Sequence, residues 1–174
     1  MGQINDLANE VLFLLAYANK HRADIDEVHQ VILGILLNAL NTYLGCILLL
    51  RAGLAIQEEI LYRNLLESVS SVLFLFFNGD KLGEFKRGDI KSHDTISSAK
   101  IMFPAYGKFY GELTNKYAHI GESHHEHLPI FNYHEYPEDS AYVFSHAKSM
   151  LWLLYVVSEL VFYDASQRKY YWIR

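Results

Sequence analysis

One cysteine, three prolines and ten glycines in 174 residues leave several structural classes without material. The lone thiol, Cys46, supplies neither a disulfide framework nor a cysteine cluster for zinc. It lies in an apolar run, and the expectation is a buried structural thiol. Proline and glycine this sparse exclude collagen-like and linker-dominated chains, and 51% hydrophobic against 20% charged residues excludes disorder. Excess positive charge is missing too. Twenty acidic and 15 basic residues give a net charge of −5, so the protein as a whole has no field to gather nucleic acid non-specifically. There is no glycine-rich phosphate loop, no serine elbow and no alternating apolar run of the kind a sheet needs.

The opening Met1-Gly2-Gln3-Ile4-Asn5-Asp6 has no basic region and no small-residue cleavage site, so no secretory signal is expected and the location follows as cytoplasmic. The uncharged run from Val31 to Leu50 is long enough for a bilayer, which takes about 20 residues. Asn38 and Asn41 near its middle would be expensive in lipid. The expectation is therefore no stable membrane insertion, but a central helix touched on several sides, or one that also supplies the face of a homodimer.

What is present is helical periodicity. Ile4, Leu7, Val11, Leu12, Leu15 and Ala18 recur at steps of three and four, giving one apolar stripe on a helix opened by Asn5 or Asp6 and ending near Lys20-His21-Arg22. Asp24 or Asp26 caps a second, long helix that closes at Arg51 before Gly53. A third runs from about Ala55 to Phe77, and a linker so short makes the two antiparallel neighbours. Lys81 to Phe103 reads as one broken or mobile helix, weakened by Gly83 and Gly88. Pro104 starts a fifth that stops at Gly121, a loop covers Glu122 to Glu138, and a last helix begins at Asp139 or Ser140 and runs to about Arg168. The basic and aromatic tail Arg168 to Arg174 could stack on bases or lie on another subunit. The whole, residues 1–174, is expected to be one all-α domain, an antiparallel bundle of five to six helices.

Three groups of residues could carry chemistry. On the third helix Glu59, Arg63, Glu67 and Ser70 or Ser71 form a polar stripe in apolar surroundings, so Arg63 and Glu67 can pair on one face. Such a pair either fixes helix register or uses the guanidinium to hold an anion. At the end of the fifth helix His119 could be an acid or base near neutral pH, or could only cap the last carbonyls. Glu122, His124, His125 and His127, with His134 and Glu135 beyond, could hold zinc or iron, or form a polar surface loop that binds metal adventitiously.

Tyr62-Arg63-Asn64-Leu65-Leu66-Glu67, followed some fifty residues later by Tyr110-Gly111-Glu112-Leu113-Thr114-Asn115-Lys116-Tyr117-Ala118-His119, resembles a bacterial family of uncharacterised helical proteins. That family pairs an Arg-x-x-x-Glu helix with a Tyr-x-x-Leu-Ser-x-Tyr-x-His segment, and it is similar to the wider HEPN (higher eukaryote and prokaryote nucleotide-binding) group. Here Thr114 stands where the family has Ser, and the interval from Leu113 to Tyr117 is one residue longer. The resemblance covers about Ile56 to Gly121. It implies a helical binding or interaction module linked to bacterial stress or phage defence, with RNA or a nucleotide as ligand and Arg63, Glu67, Tyr117 and His119 in one site. It also implies an alternative, a metal-independent ribonuclease in which an Arg stabilises phosphate charge and a His moves the 2′-hydroxyl proton. Arg87 and His93 fit the short Arg-to-His spacing of that class, and Arg63 with His119 would serve if the fold brings them together.

Overall fold

The computed structural model describes residues 2–118 and 137–166, and the described chain is all-α. Among these residues there are seven α-helices: α1 (Gly2–Lys20), α2 (Glu27–Arg51), α3 (Ala55–Phe77), α4 (Leu82–Arg87), α5 (Ser92–Met102), α6 (Tyr106–Leu113) and α7 (Pro137–Val161). The count exceeds the five to six expected because Lys81 to Phe103 forms two helices. Gly88, at φ 77°, takes the left-handed conformation that ends α4. The Gly88 N–H donates to the Phe85 carbonyl at 3.0 Å and the Asp89 N–H to the Glu84 carbonyl at 3.1 Å, a Schellman stop that an ordinary side chain would strain.

Gly53, at φ 76°, closes α2 in the same way, with Leu54 N–H on the Leu49 carbonyl at 2.9 Å. At the other end Asp26 caps α2 by accepting the His29 N–H at 2.9 Å, which holds its carboxyl below the usual aspartate range. α1 begins at Gly2 rather than at Asn5 or Asp6. α7 begins at Pro137, a residue suited to a first helical turn, and ends at Val161 rather than near Arg168. A 3-10 turn at Tyr163–Ala165 follows it.

α3 is the element around which the others are arranged, packing against α2, α5, α6 and α7. Its residues Tyr62, Leu65, Leu66, Val69, Val72, Leu73 and Leu75 have no exposed surface. Each large apolar side chain buried this way contributes roughly 1.5–3 kcal/mol relative to exposure. α2 and α3 run antiparallel: Gly79 beyond the end of α3 lies against Val28 at the start of α2, and the Cys46 thiol near the end of α2 donates to the Glu58 carbonyl near the start of α3 at 3.9 Å. Cys46 is fully buried, and burial with the neighbouring Glu58 charge pushes its thiol up to about 12. α7 closes the core with Met150, Leu154, Val156 and Val157. By length and composition both α2 and α3 could cross a membrane, with mean hydropathy 1.9 and 1.4. On α2, Leu44 and Leu48 remain 51% and 66% exposed, one turn apart.

Candidate functional site

Two polar seams with the same spacing face each other across the α3–α6 contact. Glu59, Arg63 and Glu67 stand one turn apart on α3, and Tyr106, Tyr110 and Thr114 stand one turn apart along α6. The Arg63 guanidinium joins them. Its Nε donates to Thr114 Oγ1 at 3.1 Å, and one terminal nitrogen donates to the Tyr110 hydroxyl at 3.0 Å while pairing with Glu67 Oε1 at 3.0 Å. The Tyr110 hydroxyl donates onward to Glu67 Oε1 at 2.6 Å, and the guanidinium carbon lies 5.3 Å from the Tyr110 ring centre. Burial and the Glu67 charge raise the Tyr110 phenol, against the pull of Arg63, so it stays a donor. Further along, the Tyr106 hydroxyl donates to the Leu66 carbonyl, and Ser70 meets Thr95 of α5 at 3.0 Å in the interior. A planar fork is what this geometry requires, because one side chain serves two partners on the neighbouring helix and one on its own.

Where the seam reaches Thr114 the helix widens into a π-turn, Thr114–Ala118. The turn takes up one residue more than an α-turn. Tyr117 lies in this turn. Its phenol is pushed up to about 12 by burial, with Glu59 and Glu112 adding to the effect. Glu112 accepts from Lys116 at 2.8 Å and from the Tyr142 hydroxyl at 3.1 Å, and the lysine is the main reason its carboxyl is held low.

At the α2 end of α3 lies a second set of groups. Glu59, 1% exposed, holds His146 of α7 through Oε1 and Nδ1 at 2.7 Å. Beside it Glu58 has no exposed surface and no hydrogen-bond partner on either carboxyl oxygen, and the Tyr62 hydroxyl has none either. Burial pushes the Glu58 carboxyl up to about 8. The Glu59 charge adds to this, and the Tyr62 hydroxyl, near but outside hydrogen-bonding geometry, opposes it. Glu58 is therefore largely protonated at neutral pH. Tyr43, from α2, is pushed up to about 12 by burial and its acidic neighbours.

No protein-family model, curated protein or solved structure matches the chain. Function has to be read from these residues themselves. Arg63 and Glu67 meet directly, and Tyr117 follows Thr114 within the π-turn, where the Glu59 charge adds to the rise of its phenol. His119 follows the π-turn in sequence but lies outside the described residues, as do Glu122, His124, His125 and His127, the loop that carries them, and the tail from Arg168 to Arg174. Among the described residues no group of three or more His, Cys, Asp or Glu side chains could hold a metal ion. Arg87 and His93 lie on either side of the Gly88 stop, one ending α4 and the other in the first turn of α5. Arg87 donates to Asp89 at 2.9 Å, and His93, 82% exposed, lies 3.1 Å from Asp94.

Of the residues expected in one site, the structure joins Arg63 to Glu67, and it adds Tyr110 and Thr114, to which the sequence pattern gave no role. The sequence pattern did not point to His146 or Tyr142. Both sit on the apolar-rich α7, where nothing in the local pattern marks a histidine as the partner of a glutamate 87 residues away.

Proposed function

We propose that this chain is a HEPN-like helical module, an antiparallel bundle of the cytoplasm, that binds a nucleotide or a short RNA rather than cutting it. The observation that carries the reading is the Arg63 fork, which locks the two segments of the resemblance onto each other through Tyr110 and Thr114. Binding is favoured over catalysis because Arg63 is neutralised by Glu67 at 3.0 Å and spends Nε on Thr114 at 3.1 Å. A scissile phosphate would have to displace those partners, so the fork serves better to hold the π-turn and Tyr117 in place for a ligand.

The test is incubation of the purified chain with a fluorescein-labelled oligoribonucleotide and with a fluorescent ATP analogue, in EDTA, followed by anisotropy and gel analysis. Saturable binding that Arg63→Ala abolishes, with the RNA intact, is the expected result. Cleavage in EDTA that is lost in both Arg63→Ala and His119→Ala would replace the reading with the ribonuclease alternative, and stoichiometric zinc or iron in tag-free protein would replace it with a metal centre at the histidine loop. The same reading has the protein act as a homodimer through Leu44 and Leu48 of α2. Leu48→Glu should then halve the mass in light scattering, and an unchanged monomeric mass in the parent protein removes the dimer.

A further inference from the structure

A cavity of about 550 Å³ opens between the α5–α6 turn and α7, away from the Arg63 fork. Phe103, Phe109, Trp152 and Leu153 make its walls, and the Phe103 and Trp152 rings stand edge to face at 6.0 Å. Its size and apolar lining are those of small-molecule sites, in which a few fixed polar groups set orientation. No Lys, Arg, Asp or Glu is among the residues that line it.

The polar groups that do line it are mostly committed. The Tyr106 hydroxyl donates to the Leu66 carbonyl, and the Ser149 hydroxyl donates to the Ser145 carbonyl at 2.9 Å. His146 is different. Its Nδ1 is held at 2.7 Å by the buried Glu59, and its ring is gripped between Phe109 at 5.0 Å and Tyr142 at 4.3 Å, so the imidazole has little freedom to turn. A carboxylate on Nδ1 fixes the proton on that nitrogen, which leaves Nε2 as the ring position open to a ligand. Glu59 behind the ring and Glu112 near it make the surroundings unfavourable for an anion.

We propose that this cavity binds an uncharged aromatic or alicyclic small molecule whose hydroxyl hydrogen-bonds to Nε2 of His146. The walls hold the ring system by burial, and the Glu59–His146 pair selects the hydroxyl. A ligand without a hydroxyl covers Nε2 and leaves it unpaired, which is the larger part of the discrimination. The proposal is independent of the nucleotide reading, since it uses neither Arg63 nor Tyr117.

Equilibrium dialysis of the full chain against 2-naphthol, naphthalene and 2-naphthoate tests it. The hydroxyl compound should bind at least about tenfold tighter than either of the others. Ser149→Phe, a change on the half-buried rim that leaves the pair intact, should weaken 2-naphthol at least about tenfold without moving the melting midpoint. His146→Leu should abolish the preference for naphthol over naphthalene. Equal affinity for naphthol and naphthalene, a preference for naphthoate, binding indifferent to Ser149→Phe, or no 2-naphthol binding below about 1 mM would each overturn the proposal.

Discussion

Replacing Glu58 by Gln should stabilise this protein, by an amount that grows with pH. Glu58 has no exposed surface, no partner on either carboxyl oxygen, and a carboxyl pushed from its ordinary 4.5 up to about 8. The folded state therefore holds a proton that the unfolded chain releases from about pH 4.5 upward. The sign follows directly. A carboxyl whose folded value is raised binds more protons folded than unfolded, so stability falls as pH rises through the window from 4.5 to about 8 and levels off above it. At ~1.4 kcal/mol for each tenfold change in acid dissociation, the burden is about 1 kcal/mol at pH 5, about 3 at pH 7 and about 5 at pH 9.

Glutamine keeps the shape of the protonated acid and never ionises, so Glu58→Gln should match the parent within about 1 kcal/mol at pH 5 and exceed it by about 4 kcal/mol at pH 9. Urea denaturation followed by circular dichroism at pH 5, 7 and 9 measures the difference. Comparing variant with parent at each pH cancels the titration of the groups that do not interact with Glu58. A difference that stays flat from pH 5 to pH 9, or a variant less stable than the parent at pH 9, refutes the reasoning.

Arg63→Ala removes the fork that joins α3 to α6 and should cost about 2 kcal/mol in the same denaturation assay. Arg63→Lys should recover less than half of that, because an ammonium cannot reach Thr114 and Tyr110 together, while Thr114→Ser should stay within about 0.5 kcal/mol since the hydroxyl is kept. Gly88→Ala forces a β-carbon into the left-handed stop of α4 and should cost about 1 kcal/mol, read as a lowered melting midpoint. Cys46, fully buried and with its thiol pushed up to about 12, should fail to react with a thiol reagent in native buffer at pH 8 and react fully in denaturant. Rapid native labelling would show the α2–α3 contact to be open.

The two polar groups along α3 divide the labour of this fold differently. The Arg63 fork is bonded through Nε and one terminal nitrogen and stays partly exposed, so it fixes the approach of α6 at small net cost. Glu58 and Tyr62, buried without partners, cost stability, and groups of that kind persist in folded proteins where something other than stability is served. Glu59 lies between the two, and through His146 it connects the core to the one apolar cavity described above.

What the chain determines by itself is local. Steps of three and four among apolar residues placed α1, α2 and α3, the Asp26 cap and the Gly53 stop set the bounds of α2, and the uncharged run around Cys46 foretold a buried thiol. These follow from sequence because a turn of helix, its cap and its stop all lie within a few residues of one another. The same logic put Arg63 and Glu67 on one face. It could not place Thr114 and Tyr110 against that face, divide Lys81 to Phe103 at Gly88 instead of bending it, or widen the helix at Thr114–Ala118. Least of all could it bring His146 to Glu59, 87 residues away, or leave Glu58 beside them without a partner. Helical spacing says which residues share a face, whereas which face meets which is decided by how all the buried side chains pack at once, and only the tertiary structure records that.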